Sequence, residues 1–195
     1  VIGDDSVDCV YIPLPPAFHY EWAKKALLAG KHVFLEKPST TSADDTKELV
    51  GIAGEKGLVV QENYMFQFHA QLKEIENLIA SGELGKLRLV RTSFGFPRRA
   101  EGDFRYVKEL GGGTMMDNGG YTIKLIDMLL GESMRLVSSQ LDYDEKTGID
   151  IFGTAEFVND DGVIAQAAFG MDCQYQCSLE LWGLSLIHIS EPTRH

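Results

Sequence analysis

The stretch Lys31-His-Val-Phe-Leu-Glu-Lys-Pro38 is a short apolar run that ends in a charged pair and a proline. An apolar run of this length is typical of a strand buried on both faces of a parallel sheet. Two further strand-like runs lie at 8–14 and 58–63, and two segments with apolar residues at helical spacing lie at 17–28 and 42–55. Gly30 and Gly57 lie where the two helices would end. Strands that alternate with helices in this way predict a parallel α/β sheet with right-handed crossovers.

The same pattern predicts the core of this region. Cys9 lies inside the first apolar run, so we expect it to be a small buried hydrophobe. In the first helix, Trp22, Ala26 and Leu27 fall on one face, which we expect to be the packed face. The candidate N-caps of the second helix are Ser39, Thr40 and Ser42.

The pattern changes after residue 64. Helices are predicted at 70–81 and from the glycines at 111–113 to Leu130, and strands at 86–96, 135–143, 151–158, 163–171 and 178–182. Asn159-Asp-Asp-Gly162 is a strong hairpin signal, and successive strands with short turns indicate an antiparallel sheet. We therefore predict a partial parallel α/β domain at 1–64, followed by an α+β domain with a mostly antiparallel sheet at 65–183.

Composition argues against some classes of function. The net charge of −11 argues against a nucleic-acid partner, because binding to phosphates requires clusters of lysine and arginine. No apolar run approaches the ~20 residues that a membrane-spanning helix requires, so no membrane partner is expected. The cysteines number three, and no leader-like segment opens the chain, so we expect a reducing, cytoplasmic location. No histidine neighbours Cys173 and Cys177, so we expect no metal site.

Glu36-Lys37-Pro38 is the first candidate motif. It would stand at the carboxyl end of a parallel strand, where open α/β sheets bind their ligands. From there a lysine ammonium can hold a sugar hydroxyl, donate towards a carbonyl oxygen, or lower the pKa of a neighbouring group. The Lys37–Pro38 bond is a candidate cis peptide. The alternative is a solvated loop lysine.

Leu110-Gly-Gly-Gly-Thr-Met-Met-Asp-Asn-Gly-Gly-Tyr121 is the second candidate motif. Asp117 and Tyr121 are four residues apart and would share one face of a helix. Gly119 and Gly120 would each cost about 1 kcal/mol in a helix relative to alanine, which suggests close approach by a backbone or a ligand. The alternative is structural, with Asp117 stabilising the helix terminus and Tyr121 packed in the core.

Together these motifs resemble those of the Gfo/Idh/MocA oxidoreductase family, over residues from about 7 to 183. Its members carry Glu-Lys-Pro at the end of a Rossmann strand, after a segment that here is Tyr11-Ile-Pro-Leu-Pro-Pro-Ala-Phe-His19. They also carry a Gly-Gly-x-x-x-Asp-x-x-x-His/Tyr helix in the second domain. The nucleotide-sugar 3-ketoreductase branch is the most similar, on the segments 11–15, 62–66, 94–97 and 103–106.

The resemblance implies hydride transfer between NAD or NADP and a carbon of a sugar or nucleotide sugar. Lys37 matches the catalytic lysine of the family, Tyr121 its histidine-or-tyrosine position, and Asp117 its motif aspartate. Tyr121 is then expected to donate a proton to the ketone oxygen, while Lys37 stabilises the charge on that oxygen and Asp117 orients a hydroxyl. We expect these three side chains to share one cleft.

The residues that the resemblance places near the cofactor are Leu14, Pro15, His19, Glu36, Lys37, Pro38, Asn63 and Arg105. Phe66, Phe68 and His69 are candidates for the substrate cleft. Simpler interpretations stay open: His19 as a helix-terminal residue, Arg105 in a surface ion pair, and the aromatic side chains as core.

The chain also departs from the family pattern. No Gly-x-Gly-x-x-Gly occurs in it, so the loop that binds the cofactor diphosphate is expected to lie outside it. Residues 184–195 resemble the translation of a sequencing adapter, so we expect truncated domains and a non-native tail. Rival functions are an aldose or dihydrodiol dehydrogenase and a non-catalytic binding protein on the same fold. The family implies a homo-oligomer.

Overall fold

The structure is a computed structural model that describes residues 1–100, 102–131, 133–185 and 187–190. It divides into two compact units. The first contains Val1–Tyr64 and Gly102–Gly112, and the second contains Met65–Glu101 and Gly113–His195. The short segment Gly102–Gly112 thus lies with the first unit, although both of its neighbours along the chain lie in the second.

The first unit is built on a parallel sheet. Its elements, in chain order, are β1 (Cys9–Ile12), α1 (His19–Leu28), β2 (His32–Glu36), α2 (Ala43–Lys56) and β3 (Val60–Asn63). The strands pair in the order β1-β2-β3, so the predicted parallel α/β arrangement is confirmed. Because the strands run in one direction, their last residues Ile12, Glu36 and Asn63 meet at one edge of the sheet.

Both ends of α2 follow local signals in the sequence. The Ser42 hydroxyl accepts a hydrogen bond from the backbone N–H of Asp45 at 3.4 Å, which makes Ser42 the N-cap among the three candidates. Asp44 and Asp45 also place negative charge in the first turn, where the helix dipole favours it. Gly57 ends the helix in the left-handed conformation, with φ of 66°.

Two expectations for the core of this unit are wrong. Cys9 is exposed, because the core lies on the helix-covered face of the sheet and alternate residues of β1 point to opposite faces. Ile12 is buried on the helix side, whereas Cys9 and Tyr11 lie on the other. Trp22 is 41% exposed, because the buried stripe of α1 contains the predicted Ala26 and Leu27 but passes through Ala23 and not through Trp22. That stripe is His19, Ala23, Ala26 and Leu27.

The second unit is built on a mostly antiparallel sheet, as predicted. Its elements are α3 (Ala70–Ser81), β4 (Leu87–Gly95), α4 (Gly120–Leu130), β5 (Arg135–Tyr143), β6 (Asp150–Val158), β7 (Ile164–Gly170), β8 (Gln176–Gly183) and β9 (Ile187–Ser190). Within the described residues the six strands pair in the order β5-β6-β7-β4-β8-β9, and β4–β7 is the parallel pair. Leu72 and Ile75 of α3 and Ile126 of α4 pack with Phe169 of β7 in its core.

The β6–β7 connection is the predicted hairpin. Asn159 Oδ1 accepts the backbone N–H of Val163 at 2.9 Å, and Gly162 takes the left-handed conformation with φ of 75°. At the far edge of the sheet, the backbone of β9 pairs antiparallel with β8. Residues 187–190, which belong to the tail that the sequence predicts to be non-native, therefore contribute a strand, whereas 186 and 191–195 lie outside the described residues.

The helix after the glycines differs from the predicted one. Met115–Gly119 form a π-helical turn, and α4 begins at Gly120, whereas the sequence predicted one continuous helix to Leu130. A π-helical turn advances less per residue around the axis than an α-helix, so the predicted alignment of Asp117 with Tyr121 is altered. None of the described helices has the length and apolarity that a membrane crossing requires.

Candidate active site

Glu36 connects the three strands of the parallel sheet at their carboxyl edge. Its Oε1 atom accepts hydrogen bonds from the Tyr11 hydroxyl at 2.6 Å and from the Asn63 side-chain amide at 2.7 Å. Tyr11 lies in β1, and Asn63 is the last residue of β3. Sequence reasoning identified Glu36 and Asn63 but missed Tyr11, which looks like any aromatic residue of a strand.

The environment of Glu36 favours its ionised form. Burial alone would raise the pKa of the Glu36 carboxyl, but other interactions outweigh it and hold the pKa below its usual range. They are the hydrogen bonds from Tyr11 and Asn63, a backbone hydrogen bond from Lys37, and the charge of the Lys37 ammonium. The hydrogen bond to the carboxylate raises the pKa of the Tyr11 phenol. An ionised carboxylate in this place can accept a hydrogen bond from a ribose or sugar hydroxyl.

Lys37 follows Glu36 in the chain and lies at the carboxyl edge of the sheet, where a ligand-binding residue is expected. The Lys37–Pro38 peptide bond is cis, as the sequence allowed. The next residue, Ser39, donates its backbone N–H to Glu62 Oε1 at 2.7 Å, which holds the loop against β3. Lys37 is half-buried, and its charge acts on Glu36.

His19 is fully buried, although it is the first residue of α1. Its Nε2 lies 2.6 Å from the carbonyl oxygen of Leu14, and its Nδ1 lies 2.8 Å from that of Pro38. The Leu14 side chain is 39% exposed, so Leu14 combines a buried backbone contact with an exposed apolar side chain. Pro15 is the N-cap of the short helical turn Pro16–Phe18 that leads into α1.

Arg105 lies in Phe104–Tyr106, a short helical turn of the first unit. Its Nη1 is 3.2 Å from Asp103 Oδ1, and its guanidinium lies 4.6 Å from the centroid of the Phe104 ring. The side chain is 20% exposed. An ion pair, the alternative that the sequence left open, is thus one of the contacts of Arg105.

In the second unit, Asp150 fixes the start of the π-helical turn. Its carboxylate accepts the backbone N–H of Met115 at 2.6 Å. Gly113 has φ of 119°, and a Cβ atom there would lie 2.3 Å from Asp150 Oδ1. The glycine therefore serves this close approach of a side chain from β6, a contact that periodicity in the sequence does not reveal.

Asn118 fixes the turn from inside. Its side-chain amide is fully buried and donates to the carbonyls of Phe94 and Gly170 at 3.0 and 2.7 Å, near the ends of β4 and β7. Its Oδ1 accepts the Thr114 hydroxyl at 2.5 Å. Because Asn118 follows Asp117 in the chain, these bonds also determine where Asp117 lies. A buried amide in a helical segment signals such a role, but the sequence does not show the burial.

Tyr121 lies between two aromatic rings of its own unit. Its ring centroid is 5.3 Å from that of Phe94 and 5.8 Å from that of Phe66. Of the three candidates for the substrate cleft, Phe66 therefore contacts Tyr121. Phe68 is 74% exposed, and His69 is the N-cap of α3, where its ring accepts the backbone N–H of Gln71.

The predicted site residues fall into two groups. The structure brings Leu14, His19, Glu36, Lys37, Pro38 and Asn63 together at the carboxyl edge of the parallel sheet. Asp117 and Tyr121 lie together in the helical segment of the second unit. That the two groups share one cleft stays a prediction.

Comparisons with known proteins cover both units. Residues 1–64 match an oxidoreductase family with an NAD-binding Rossmann fold, and residues 72–185 match the GFO/IDH/MocA C-terminal domain. The chain is 42% identical over 179 residues to a dTDP-3,4-didehydro-2,6-dideoxy-alpha-D-glucose 3-reductase from Streptomyces violaceoruber, covering 91% of the chain and 52% of that protein. It is 34% identical over 174 residues to a D-xylose 1-dehydrogenase (NADP(+)) from Haloferax volcanii, covering 88% and 53%.

Among solved structures, the chain resembles a 3-ketoreductase from Actinomadura kijaniata in complex with NADP and TDP-benzene. The TM-score is 0.91 at 37% identity, over 94% of the chain and 56% of that protein. The chain spans about half the length of the relatives that it matches.

Proposed function

Because the chain belongs to the Gfo/Idh/MocA family of oxidoreductases, we propose that it transfers a hydride between NAD or NADP and a sugar carbon. The observation that carries the proposal is the placement of Lys37. The charge of its ammonium acts on the Glu36 carboxylate, at the carboxyl edge of a parallel sheet whose segment matches an NAD-binding fold. Open α/β sheets bind their ligands at that edge.

The substrate that we propose is a nucleotide-linked keto-sugar. The identities to dTDP-sugar 3-reductases range from 34% to 42% and support this class, and the D-xylose dehydrogenase, at 34%, equals the least similar of them. The likeness to a 3-ketoreductase bound to NADP and TDP-benzene supports it as well. An aldose or dihydrodiol dehydrogenase and a non-catalytic binding protein are the outcomes that would replace it.

The proposed roles follow from the chemistry of the side chains. Tyr121 donates its phenolic proton to the ketone oxygen as that oxygen gains negative charge, and Asp117 orients a sugar hydroxyl. The Lys37 ammonium stabilises the developing charge. The packing of Tyr121 between Phe66 and Phe94 holds the ring by contacts that the hydroxyl does not make. In the reverse direction Tyr121 acts as the base.

The first unit fits the nicotinamide half of the cofactor. An ionised carboxylate has about four acceptor positions, so Glu36 retains capacity for a ribose hydroxyl besides the bonds from Tyr11 and Asn63. Leu14 and Pro15, in the loop after β1, and Arg105 are the other residues that we propose near the cofactor. The bound nicotinamide would supply or accept the hydride.

Three further features belong to the proposal. The domains are 1–64, which binds the cofactor, and 65–183, which binds the substrate and forms subunit contacts. The protein works in the cytoplasm, which suits its free Cys9, Cys173 and Cys177. It assembles as a homo-oligomer, which light scattering would detect.

The test compares substrates in an extended chain, defined as this chain joined to the segments of the Streptomyces violaceoruber reductase that lie outside the matched region. Its kcat/KM with reduced NADP and a dTDP-linked 3-keto-sugar should exceed that for D-xylose or a dihydrodiol by at least about 100-fold. The Lys37→Met variant is the control, since its loss of turnover shows that the activity depends on this chain. A preference for D-xylose would assign the chain to the aldose dehydrogenases, and binding without turnover of any substrate would leave a binding protein.

A further inference from the structure

The imidazole of His19 lies between backbone carbonyls of two different loops. Leu14 belongs to the loop after β1, and Pro38 belongs to the loop after β2, next to Lys37. The ring nitrogens lie 2.6 and 2.8 Å from these two carbonyl oxygens, and the residue has 0% exposure. His19 therefore connects α1 and the loop after β1 to the loop that carries Lys37.

Both partners of His19 are carbonyl oxygens, which only accept hydrogen bonds. The two ring nitrogens therefore approach carbonyls of two different loops at hydrogen-bond distance, inside a site that is closed to solvent.

We propose that His19 is a positioning residue, whose ring contacts with the carbonyls of Leu14 and Pro38 hold the Lys37–Pro38 loop in place. It fixes where the Lys37 ammonium lies and does not touch the reacting atoms. Because no ring nitrogen of His19 is exposed, this role replaces the sequence-based expectation that His19 binds the cofactor directly. The inference rests on the proposed function, because His19 acts through Lys37.

The chain contains a matched control in the same sheet. His32 is the first residue of β2, and its Nδ1 accepts the backbone N–H of Val59 at 3.0 Å. It too connects neighbouring segments of the parallel sheet, but at the amino edge, opposite Lys37. Substitution of His32 therefore tests for a general effect of losing a histidine contact in this unit.

The first experiment tests the ring contacts and needs no enzymatic activity. The chain is labelled with ¹⁵N in its histidines, and the His19 signals are assigned by their absence from the His19→Gln variant. We expect a ring N–H of His19 that exchanges slowly with solvent, because the ring is buried and lies at hydrogen-bond distance from two carbonyls. Exchange of the ring hydrogen as fast as in an exposed histidine would overturn the contacts.

The second experiment is a double-mutant cycle in the extended chain. His19→Leu should lower kcat about 100-fold, with less than about a threefold change in the KM of the nucleotide sugar, because a displaced Lys37 impairs the chemical step. In a Lys37→Met background the same change should lower kcat less than about twofold. His32→Gln should leave kcat unchanged, and His19→Gln, whose amide N–H groups can keep a contact with one of the two carbonyls, should recover part of it.

Equal losses in the two backgrounds would show that His19 supports the fold alone, which overturns the proposal. If His19→Leu does not fold, the exchange of the ring hydrogen and the His19→Gln variant still decide the question. If the unsubstituted extended chain turns over none of the sugars, the proposed function fails, while the exchange of the ring hydrogen still tests the contacts of His19.

Discussion

The ring of Tyr121 lies edge-on to the ring of Phe94, with the centroids 5.3 Å apart and the planes at 72°. Phe94 belongs to β4, so this contact joins the helix that carries the tyrosine to the sheet of its own unit. Edge-to-face packing depends on the ring and not on the hydroxyl. Substitution of Tyr121 by phenylalanine, which removes only the hydroxyl, therefore tests its chemical contribution while the ring contacts are kept.

Tyr121→Phe should remove chemistry and leave the fold intact. The ring contacts with Phe66 and Phe94 persist, so the melting temperature should change by no more than about 3 °C. Loss of a proton donor should lower kcat of the extended chain by about 10²–10⁴-fold. Steady-state kinetics and thermal denaturation measure the two effects, and unchanged turnover would remove Tyr121 from its proposed role.

Asn118→Leu should lower both stability and activity. It removes the buried amide donor from the carbonyls of Phe94 and Gly170, of which Gly170 keeps the backbone N–H of Phe96, so the substitution should cost about 1–3 kcal/mol. The turn beside Asp117 then moves, and kcat should fall. Urea denaturation and kinetics are the measurements.

The control for Asn118 is Asn159→Ala in the β6–β7 hairpin, where Asn159 accepts the backbone N–H of Val163. This variant should lower the free energy of unfolding and leave kcat unchanged. If both variants reduced kcat in proportion to their loss of stability, Asn118 would have no specific role at the site.

Gly119→Ala should destabilise the second unit. A Cβ atom at this position would lie 3.2 Å from ring carbons of Phe169 and 3.3 Å from the Met115 sulfur. Overpacking of this kind costs about 1–3 kcal/mol. Gly54→Ala in α2 is the control, because its Cβ would meet no atom within 4 Å, and it should increase stability by about 0.5–1 kcal/mol. Equal effects in urea denaturation would contradict the packing at Gly119.

Tyr11→Phe should change how stability depends on pH. The pKa of Glu36 is lowered in the folded state, so its contribution is present above the unfolded pKa and is lost as pH falls through the folded pKa. Removal of the Tyr11 hydroxyl raises the pKa of Glu36 and weakens this contribution. The variant should therefore be less stable than wild type at pH 7, with the difference narrowing below about pH 4.

Urea denaturation across this pH range is the measurement. Exposed Tyr143 provides the control, since Tyr143→Phe should have an effect that does not vary between pH 7 and the acidic range. A Tyr11→Phe difference that stays constant down to acidic pH would show that the Glu36 contact contributes nothing.

Local signals in the sequence were sufficient for the parallel sheet, α2 and the β6–β7 hairpin. Ser42, Gly57 and Gly162 act through their own backbone or the next turn, so a reader of the sequence can place them. The π-helical turn could not be predicted, because its cause is tertiary. Asp150 of β6 binds the backbone at its start, and Asn118 in the turn binds carbonyls of β4 and β7, which lie far along the chain.

Burial of single residues was the least predictable feature. Cys9 and Trp22 were misplaced because apolar character does not tell which face of an element is covered. Glu36, Lys37 and Asn63 were placed correctly at the edge of the sheet because parallel strands bring their carboxyl ends together. Tyr11 and the two bonds of His19 required coordinates, since each joins segments that lie apart in sequence.

The most direct test of hydride transfer is isotopic. The extended chain is incubated with reduced NADP that carries deuterium at the transferable position of the nicotinamide, together with the dTDP-linked 3-keto-sugar, and the sugar product is examined by mass spectrometry. We predict one deuterium on the carbon that was the ketone, and far less labelled product in the same time when the chain carries Lys37→Met. A reduced sugar without deuterium, or no reduced sugar at all, would contradict the account.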